Sequence, residues 1–299
     1  MKKFLALALA VLMILTTLAF ASCGKKNADF VATDAADLLK EDFGIGVKKG
    51  SPELLAAVNA VVDKWVADGT MAKYEDYYTK LSEFAEDTTG DVAKPDANGL
   101  KVTWDFGAAT EAITVYTESG FAPFEFVYDG AVVGLDIAIM SEVAVNMGKK
   151  IVVKDVVFDT IPTSVQNDAG LAVAAAGLTI TAERAEKMDF SNVYYSSTLV
   201  IVSAKKDPIT SVKDLAGKKV GVQQGTSGDI IITAAKGDGY SYKTENDAGE
   251  EITVTVKAEG AEPKQYEKYA MALADLKAGR IDAILMDKLP ALTMLSAAD

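Results

Sequence analysis

The stretch LAVAAAGLTITAER, residues 171–184, combines a run of small apolar residues with polar side chains directly after it. The run over residues 171–177 is typical of a buried strand. Ligands of parallel α/β sheets bind beyond the carboxyl ends of strands, where helix N-termini also point. Thr179 and Arg184 are therefore predicted to lie at a ligand-binding edge.

Around this stretch, strand and helix patterns alternate from residue 113 onward. The strand patterns are ITVYT, IVVKDVVF, KKVGVQ, ITVTVK and DAILMD, and the helix patterns cover 136–147 (amphipathic), 161–166 and 266–278, with a helical turn at VKDLAG. A polar insertion spans about 236–251. Such alternation predicts an α/β fold with largely parallel sheets, and two sets of elements separated near Asp207 predict two lobes.

The part of the chain before residue 113 has its own pattern. EDFGIGVKKG, residues 41–50, reads as a strand and a turn, and apolar residues at helical spacing follow from Ser51. Thr70 can cap a second, shorter helix. Residues 83–99 are acidic and rich in Gly, Pro and Asp, which predicts a linker, and the alternation in LKVTWDF, residues 100–106, predicts an edge strand.

The composition excludes several classes of site. The 299 residues include no histidine and one cysteine, so a zinc site and a Ser-His or Cys-His nucleophile are excluded. The formal charge of −13 predicts that neither nucleic acid nor anionic lipid headgroups are partners. No metal and no cofactor is predicted.

The N-terminus has the pattern of a secretory signal over residues 1–22, with a basic start, an apolar run and small residues before Cys23. Lys2 and Lys3 are the only charged residues in this segment, so its removal leaves a formal charge of −15. The apolar run is at the lower limit for a membrane span, which makes a permanent anchor the alternative.

Cys23 directly after Ala21-Ser22 resembles the lipobox of bacterial lipoproteins, with Phe20 where that motif usually has Leu. The resemblance implies lipidation of Cys23, a tether over 23–29 and an extracytoplasmic position anchored to the bacterial cell membrane. An ordinary signal with an incidental cysteine is the alternative.

Further motifs fall at strand ends: TESGFAPFEF (117–126), FDTIP (158–162), KMDFSNVYYSS (187–197), QQGTSGD (223–229) and LMDKLPA (285–291). With AGLTITAER (176–184) they resemble the solute-binding proteins of amino-acid ABC transporters, in normal family order over 113–299. The resemblance implies a two-lobed, type II periplasmic-binding-protein fold, hinge closure on an amino acid, an ABC permease as partner and a monomeric protein.

An α-amino acid carries a carboxylate and an ammonium two bonds apart, and each needs its own partner. Arg184 can bind the carboxylate bidentately, helped by the Thr179 hydroxyl and by the helix-terminal amides of Thr226 and Ser227. Asp287, at the end of DAILMD, is the best-placed anion for the ammonium. The resemblance implies the same roles for these positions, although Asp287 could instead cap the following turn.

The remaining predicted ligand-binding residues shape the cleft. Phe121 and Phe158 would sandwich the ligand side chain, although both could equally be core residues. Phe124 is expected to be a core residue. Gly177 would allow a ligand to approach the backbone. Glu118 and Gln223 stand where polar residues help to choose the ligand, which favours a polar or basic amino acid.

The order of the segments departs from the family. A phrase like residues 42–78 ordinarily follows the late strand, whereas here it precedes residue 113. We interpret the order as a circular permutation, with 30–82 as the C-terminal segment of lobe 1, 83–112 as a new linker, 113–202 as lobe 1 and 203–299 as lobe 2. A fragment of a tandem fusion is the alternative.

Three other functions stay open at this stage. The fold also hosts dehydratases of cyclic amino-acid precursors, for which Glu118 would be the general acid. A ligand-sensing module of a receptor and a binder of solutes other than amino acids are the remaining alternatives.

Overall fold

The computed structural model describes residues 27–35, 37–38, 40–245 and 250–296, so the predicted signal segment and Cys23 lie outside the described residues. The strands in these ranges are β1 (Phe30–Asp34), β2 (Lys40–Phe43), β3 (Gly46–Lys48), β4 (Ala112–Thr117), β5 (Gly120–Phe121), β6 (Glu125–Tyr128), β7 (Ala131–Val133), β8 (Lys150–Asp155), β9 (Leu171–Ala174), β10 (Met188–Phe190), β11 (Tyr195–Ala204), β12 (Lys219–Gln223), β13 (Tyr240–Glu245), β14 (Glu251–Val256), β15 (Glu262–Tyr266) and β16 (Ala283–Asp287). The α-helices are α1 (Pro52–Ala67), α2 (Thr70–Glu86), α3 (Leu135–Asn146), α4 (Ile161–Asn167), α5 (Ala182–Lys187), α6 (Ser227–Ala235), α7 (Tyr269–Lys277) and α8 (Lys288–Ser296).

The first large sheet, here called the lobe 1 sheet, has the order β10-β3-β9-β4-β8. Strands β9, β4 and β8 are parallel, whereas β3 is antiparallel to both of its neighbours, β9 and β10. Helix α3 packs on β4 and β8, and α1 and α2 pack on α3. The early segment therefore contributes an internal strand and two covering helices to a sheet otherwise built from later residues.

The second large sheet, here called the lobe 2 sheet, has the order β1-β11-β16-β12-β15. Strands β15, β12 and β16 are parallel, and β11 and β1 are added antiparallel at one side. Strand β2 pairs with the first residues of β11, so the chain passes between the two sheets along two neighbouring paths, β10 to β11 and β2 to β3. The prediction of an α/β fold with two lobes is confirmed, although each sheet is mixed rather than largely parallel.

Helix α1 begins and ends as its sequence predicts. Pro52 occupies the first turn, and Gly69, with a φ of 74°, follows its C-terminal end. Its apolar face is buried, with Leu54 and Val58 almost fully enclosed. Trp65 stacks on Tyr74 of α2 with ring centroids 4.4 Å apart. The two helices therefore share one core with the lobe 1 sheet.

Three local predictions are wrong, and each has a packing reason. Residues 100–106 form no strand: the Tyr74 hydroxyl donates to the Lys101 carbonyl, and the apolar residues of this segment pack on the core beside α2. Helix α3 is not amphipathic, because α1 and α2 bury its outer face. The helix predicted to begin at residue 266 begins at Tyr269 instead. The residues before it form the edge strand β15, which was not predicted because its residues are mostly polar.

Two further boundaries differ from prediction. Helix α2 is longer than α1 rather than shorter, and it continues to Glu86, into the segment expected to be linker. The polar insertion contains β13, which forms a hairpin with β14 outside the two large sheets. Within the described residues, no helix combines the length and apolarity needed to cross a bilayer.

Candidate functional site

The predicted ligand-binding residues converge on the cleft between the two sheets. Glu118 follows β4, and Thr179 follows β9, on the lobe 1 side. Thr226 caps α6 by accepting a hydrogen bond from the Asp229 amide, and Asp287 ends β16, on the lobe 2 side. Strand ends and helix N-termini therefore place donors and acceptors of both lobes at one site.

Arg184 connects the two lobes at the floor of this cleft. Thr181 caps α5 by accepting from the Arg184 amide, which fixes the start of the short helix that carries the guanidinium. Nη1 donates to the Thr179 carbonyl at 2.8 Å, and Nη2 donates to the Gly225 carbonyl of the other lobe at 3.0 Å. The guanidinium lies over the Phe158 ring at 5.5 Å. Burial of the charged group lowers the pKa of Arg184.

A carboxylate of the chain itself, that of Glu41, lies within electrostatic range of this guanidinium. Its Oε2 atom accepts from the Ser227 hydroxyl at 2.6 Å and from the Thr179 hydroxyl at 3.1 Å. Burial raises the pKa of Glu41, while the two hydroxyl donors and the Arg184 charge oppose that shift. Sequence reasoning missed Glu41, although it lies in the out-of-order stretch EDFGIGVKKG, which was the signal available.

Asp287 is buried with an unsatisfied oxygen. Only 5% of the residue is exposed, and Oδ1 has no hydrogen-bond partner among the described residues. Burial, reinforced by the Glu41 charge, raises the pKa of Asp287 to about 8. The Ser197 hydroxyl and the Arg184 charge favour the ionised form, but one oxygen stays unsatisfied. A buried carboxylate with an unsatisfied oxygen is costly, and a cation placed beside it would lower the cost. The arrangement suits an ammonium group.

Glu118 and Gln223 face each other across the lobes. Gln223 Nε2 donates to Glu118 Oε2 at 2.8 Å and to the Glu267 carbonyl at 2.8 Å. Lys268 forms an ion pair with Glu118 Oε1 at 2.8 Å. Sequence reasoning missed Lys268, because residue 268 was assigned to the interior of a helix. Glu118, which is 2% exposed, is thus engaged by both a lobe 2 amide and a lobe 2 cation.

Phe121 and Phe158 belong to different hydrophobic clusters. Phe121 stacks on Phe124 at 5.7 Å between ring centroids and reaches Tyr269 of the other lobe at 6.3 Å. Tyr269 was not predicted; its hydroxyl lies 3.3 Å from the Thr226 hydroxyl. The aromatic rings thus close the apolar side of the cleft.

Gly177 has a structural reason to be glycine. Its φ is +53°, and a Cβ atom there would lie 2.6 Å from Phe121 Cε1. Its amide donates to the buried Asp136 carboxylate at 2.9 Å. In this structure Gly177 packs against Phe121 and donates to Asp136, and it does not give a ligand open access to the backbone.

A cavity of about 460 Å³ adjoins the Glu41 side of the cleft. The predicted residues Thr179 and Ser227 line it together with Glu41, and Tyr240 and Tyr242 of the hairpin also line it. Because lobe-to-lobe bonds are formed at Arg184 and Gln223, the cleft is closed in this structure.

Sequence comparison finds relatives among bacterial arginine-binding proteins. The arginine-binding extracellular protein ArtP of Bacillus subtilis is 36% identical over 134 residues, which are 44% of this chain and 50% of that protein. The ABC transporter arginine-binding protein 1 of Escherichia coli is 29% identical over 190 residues, covering 63% of this chain and 68% of that protein. This chain therefore spans half of the length of ArtP.

Solved structures give the same picture of the fold. An ancestral arginine-binding protein bound to arginine is 31% identical, with a TM-score of 0.53, over 63% of this chain and 77% of that one. The arginine-bound, truncated ArgBP of T. maritima is 30% identical, with a TM-score of 0.51, over 62% of this chain and 77% of that one. These likenesses confirm the predicted type II periplasmic-binding-protein fold.

The family model that matches this sequence is that of the bacterial extracellular solute-binding proteins, family 3, and it covers residues 113–287. The match includes each predicted ligand-binding residue from Glu118 to Asp287. Since it spans more than half of the 299 residues, the chain belongs to the bacterial extracellular solute-binding proteins, family 3.

Proposed function

We propose that this protein is the extracytoplasmic binding component of an ABC importer and that it binds an amino acid in the cleft between its lobes. One observation carries the proposal: donors from both lobes surround a carboxylate, and a second, buried carboxylate with an unsatisfied oxygen lies nearby. Thr179, Ser227 and Arg184 supply the first environment, and Asp287 supplies the second. This pair of environments matches the carboxylate and the ammonium of an α-amino acid.

Closure of the lobes on the ligand would be the mechanism. Arg184 would bind the carboxylate from lobe 1, while Ser227 and the N-terminus of α6 bind it from lobe 2. A ligand that contacts both lobes favours the closed state, which a permease can then recognise. No bond of the ligand is made or broken in this cycle.

A polar or basic amino acid is the ligand class that the charges favour. Glu41, Glu118 and Asp287 face Arg184 and Lys268 around the cleft, which leaves an excess of one negative charge when all are ionised. An additional cation on the ligand would balance that excess. The relatives that are named for binding arginine, histidine and lysine or ornithine support the same class.

The segment order supports circular permutation as part of this proposal. Strand β3 lies between β9 and β10, so the lobe 1 sheet contains a gap without residues 46–48. Leu54 and Val58 of α1 are buried in the core shared with residues 113 onward. These contacts are the ones that a permuted C-terminal segment over residues 30–82 would make with the later residues.

The anchor at the N-terminus is proposed from sequence alone. Cleavage before Cys23 and lipidation of its thiol would hold the protein on the outer side of the cell membrane, near the permease. Mass spectrometry of the protein from a bacterial membrane fraction, compared with a Cys23→Ala variant, tests this. A diacylglycerol-modified Cys23 supports the anchor, and an unmodified mature N-terminus contradicts it.

A matched pair of arginine variants tests the binding site. The sequence has two arginines, and Arg280 lies on the surface in an ion pair with Asp275. Calorimetric titration with basic and polar amino acids should give binding to the wild type and to Arg280→Ala. Arg184→Ala should lose roughly thirtyfold to several thousandfold in affinity, because a lost charge-assisted pair costs about 2–5 kcal/mol. Retained affinity in Arg184→Ala contradicts the carboxylate assignment.

A further inference from the structure

The geometry of β2 directs Glu41 into the cleft. Side chains alternate between the two sides of a strand, and here Lys40 and Asp42 are exposed whereas Phe43 is fully buried. Glu41 shares its side with Phe43. Pairing of β2 with β11 places Glu41 opposite Ser197 and fixes this register. The acid thus reaches the cleft because of strand geometry, and not through a flexible loop.

The Glu41 carboxylate connects the two lobes as a bound ligand would. Thr179 donates to it from the lobe 1 side, and Ser227 donates to the same Oε2 atom from the N-terminus of α6 in lobe 2. The Arg184 charge also stabilises the ionised form. The hydroxyls of Thr179 and Ser227, proposed above as donors to the ligand carboxylate, are thus engaged by a residue of the chain itself.

We propose that Glu41 is an internal competitor for the carboxylate-binding donors, and that it sets the affinity of the cleft for amino acids. The inference rests on the proposed function, because it assigns these donors to the ligand carboxylate. In the ligand-free protein, Glu41 holds the lobes together. An incoming amino acid displaces the Glu41 side chain and takes over its hydrogen bonds.

The structure provides room for the displaced side chain. Glu41 itself borders the cavity of about 460 Å³, which Lys40, Tyr240 and Tyr242 also line. A rotation of the Glu41 side chain into this space leaves β2 unchanged. Because Glu41 competes with the carboxylate that all amino acids share, its removal should strengthen the binding of every amino acid that the wild type binds.

Three variants of β2 separate this competition from general effects on charge. Glu41→Ala removes the carboxylate, and Glu41→Gln keeps its size but not its charge. Asp42→Asn is the control, because Asp42 is the adjacent acid and bonds to the exposed Ser196 hydroxyl instead. Calorimetry should show about tenfold tighter binding for both Glu41 variants, equal to about 1.4 kcal/mol, and an unchanged constant for Asp42→Asn. X-ray scattering should show a more open ligand-free Glu41→Ala protein.

Each outcome is informative. If the wild type binds amino acids and the Glu41 variants bind them equally or more weakly, the competitor role is overturned while the proposed function stands. If neither the wild type nor a variant binds an amino acid, the proposed function is overturned. In that case a Glu41→Ala protein that scatters like the wild type also overturns the role of Glu41 in closure. A different outcome, binding by the Glu41 variants but not by the wild type, supports both proposals.

Discussion

Replacing Asp287 by Asn should stabilise the ligand-free protein while removing its ability to bind. The carboxyl group is buried, its Oδ1 atom lacks a partner among the described residues, and its pKa is raised from 3.8 to about 8. The native state therefore holds a proton that the unfolded state releases above pH 4. The effect of this group on the free energy of unfolding is therefore most favourable below pH 4, and stability is lost as the pH rises towards 8.

The size of the effect follows from the difference between these two pKa values. Taking up one proton at pH 7 against an unfolded pKa near 4 costs at most about 4 kcal/mol. Asn carries no titratable group, so the gain should be on the order of 2–4 kcal/mol near pH 8 and close to zero near pH 4. For a protein of this size, each kcal/mol raises Tm by about 2–4 °C.

Thermal unfolding of the wild type and Asp287→Asn at pH 5 and pH 8 measures this difference. The control is Asp238→Asn, which removes an exposed carboxylate from the turn before β13. The Tm advantage of Asp287→Asn should grow with pH and be absent from the control. An Asp287→Asn protein that is less stable than the wild type at pH 8, or equally favoured at both pH values, refutes the assignment of a buried acid with a raised pKa.

Three other substitutions test the structure around the site. Gly177→Ala should destabilise the protein by about 1–3 kcal/mol in urea unfolding, because its φ is positive and its Cβ would overlap Phe121; an unchanged midpoint contradicts this. Leu54→Ala should lower the stability of the whole protein by about 2–5 kcal/mol in one transition, and a separate early transition would show that α1 is not part of the main core. Lys268→Met should weaken ligand binding at least several-fold in calorimetry, since it leaves the buried Glu118 without its cation; unchanged affinity contradicts the role of this pair.

The parts of the fold that depend on local pattern were predictable from the sequence. The spacing of Leu54, Val58 and Trp65, with Pro52 and Gly69 at the ends, specifies α1 without further information. Elements that depend on distant packing were not predictable. Residues 100–106 alternate like a strand but lie against α2, and β15 is polar because it is a parallel edge strand.

The candidate site likewise contains residues that the local sequence pattern predicts and residues that depend on distant contacts. Arg184 and Asp287 could be proposed because Arg184 follows, and Asp287 ends, a recognisable strand pattern, and each has a charge that the ligand chemistry requires. Glu41 and Lys268 could not, because their roles arise from pairing of β2 with β11 and from the bond between lobes at Glu118. Both are contacts between segments far apart in sequence.

A crystal structure of the protein with the amino acid that binds most tightly tests the central claim most directly. The account predicts the ligand carboxylate on Arg184, Thr179 and Ser227, its ammonium on Asp287, and the Glu41 side chain displaced into the adjoining cavity. A ligand elsewhere, or one whose carboxylate avoids Arg184, would contradict the account.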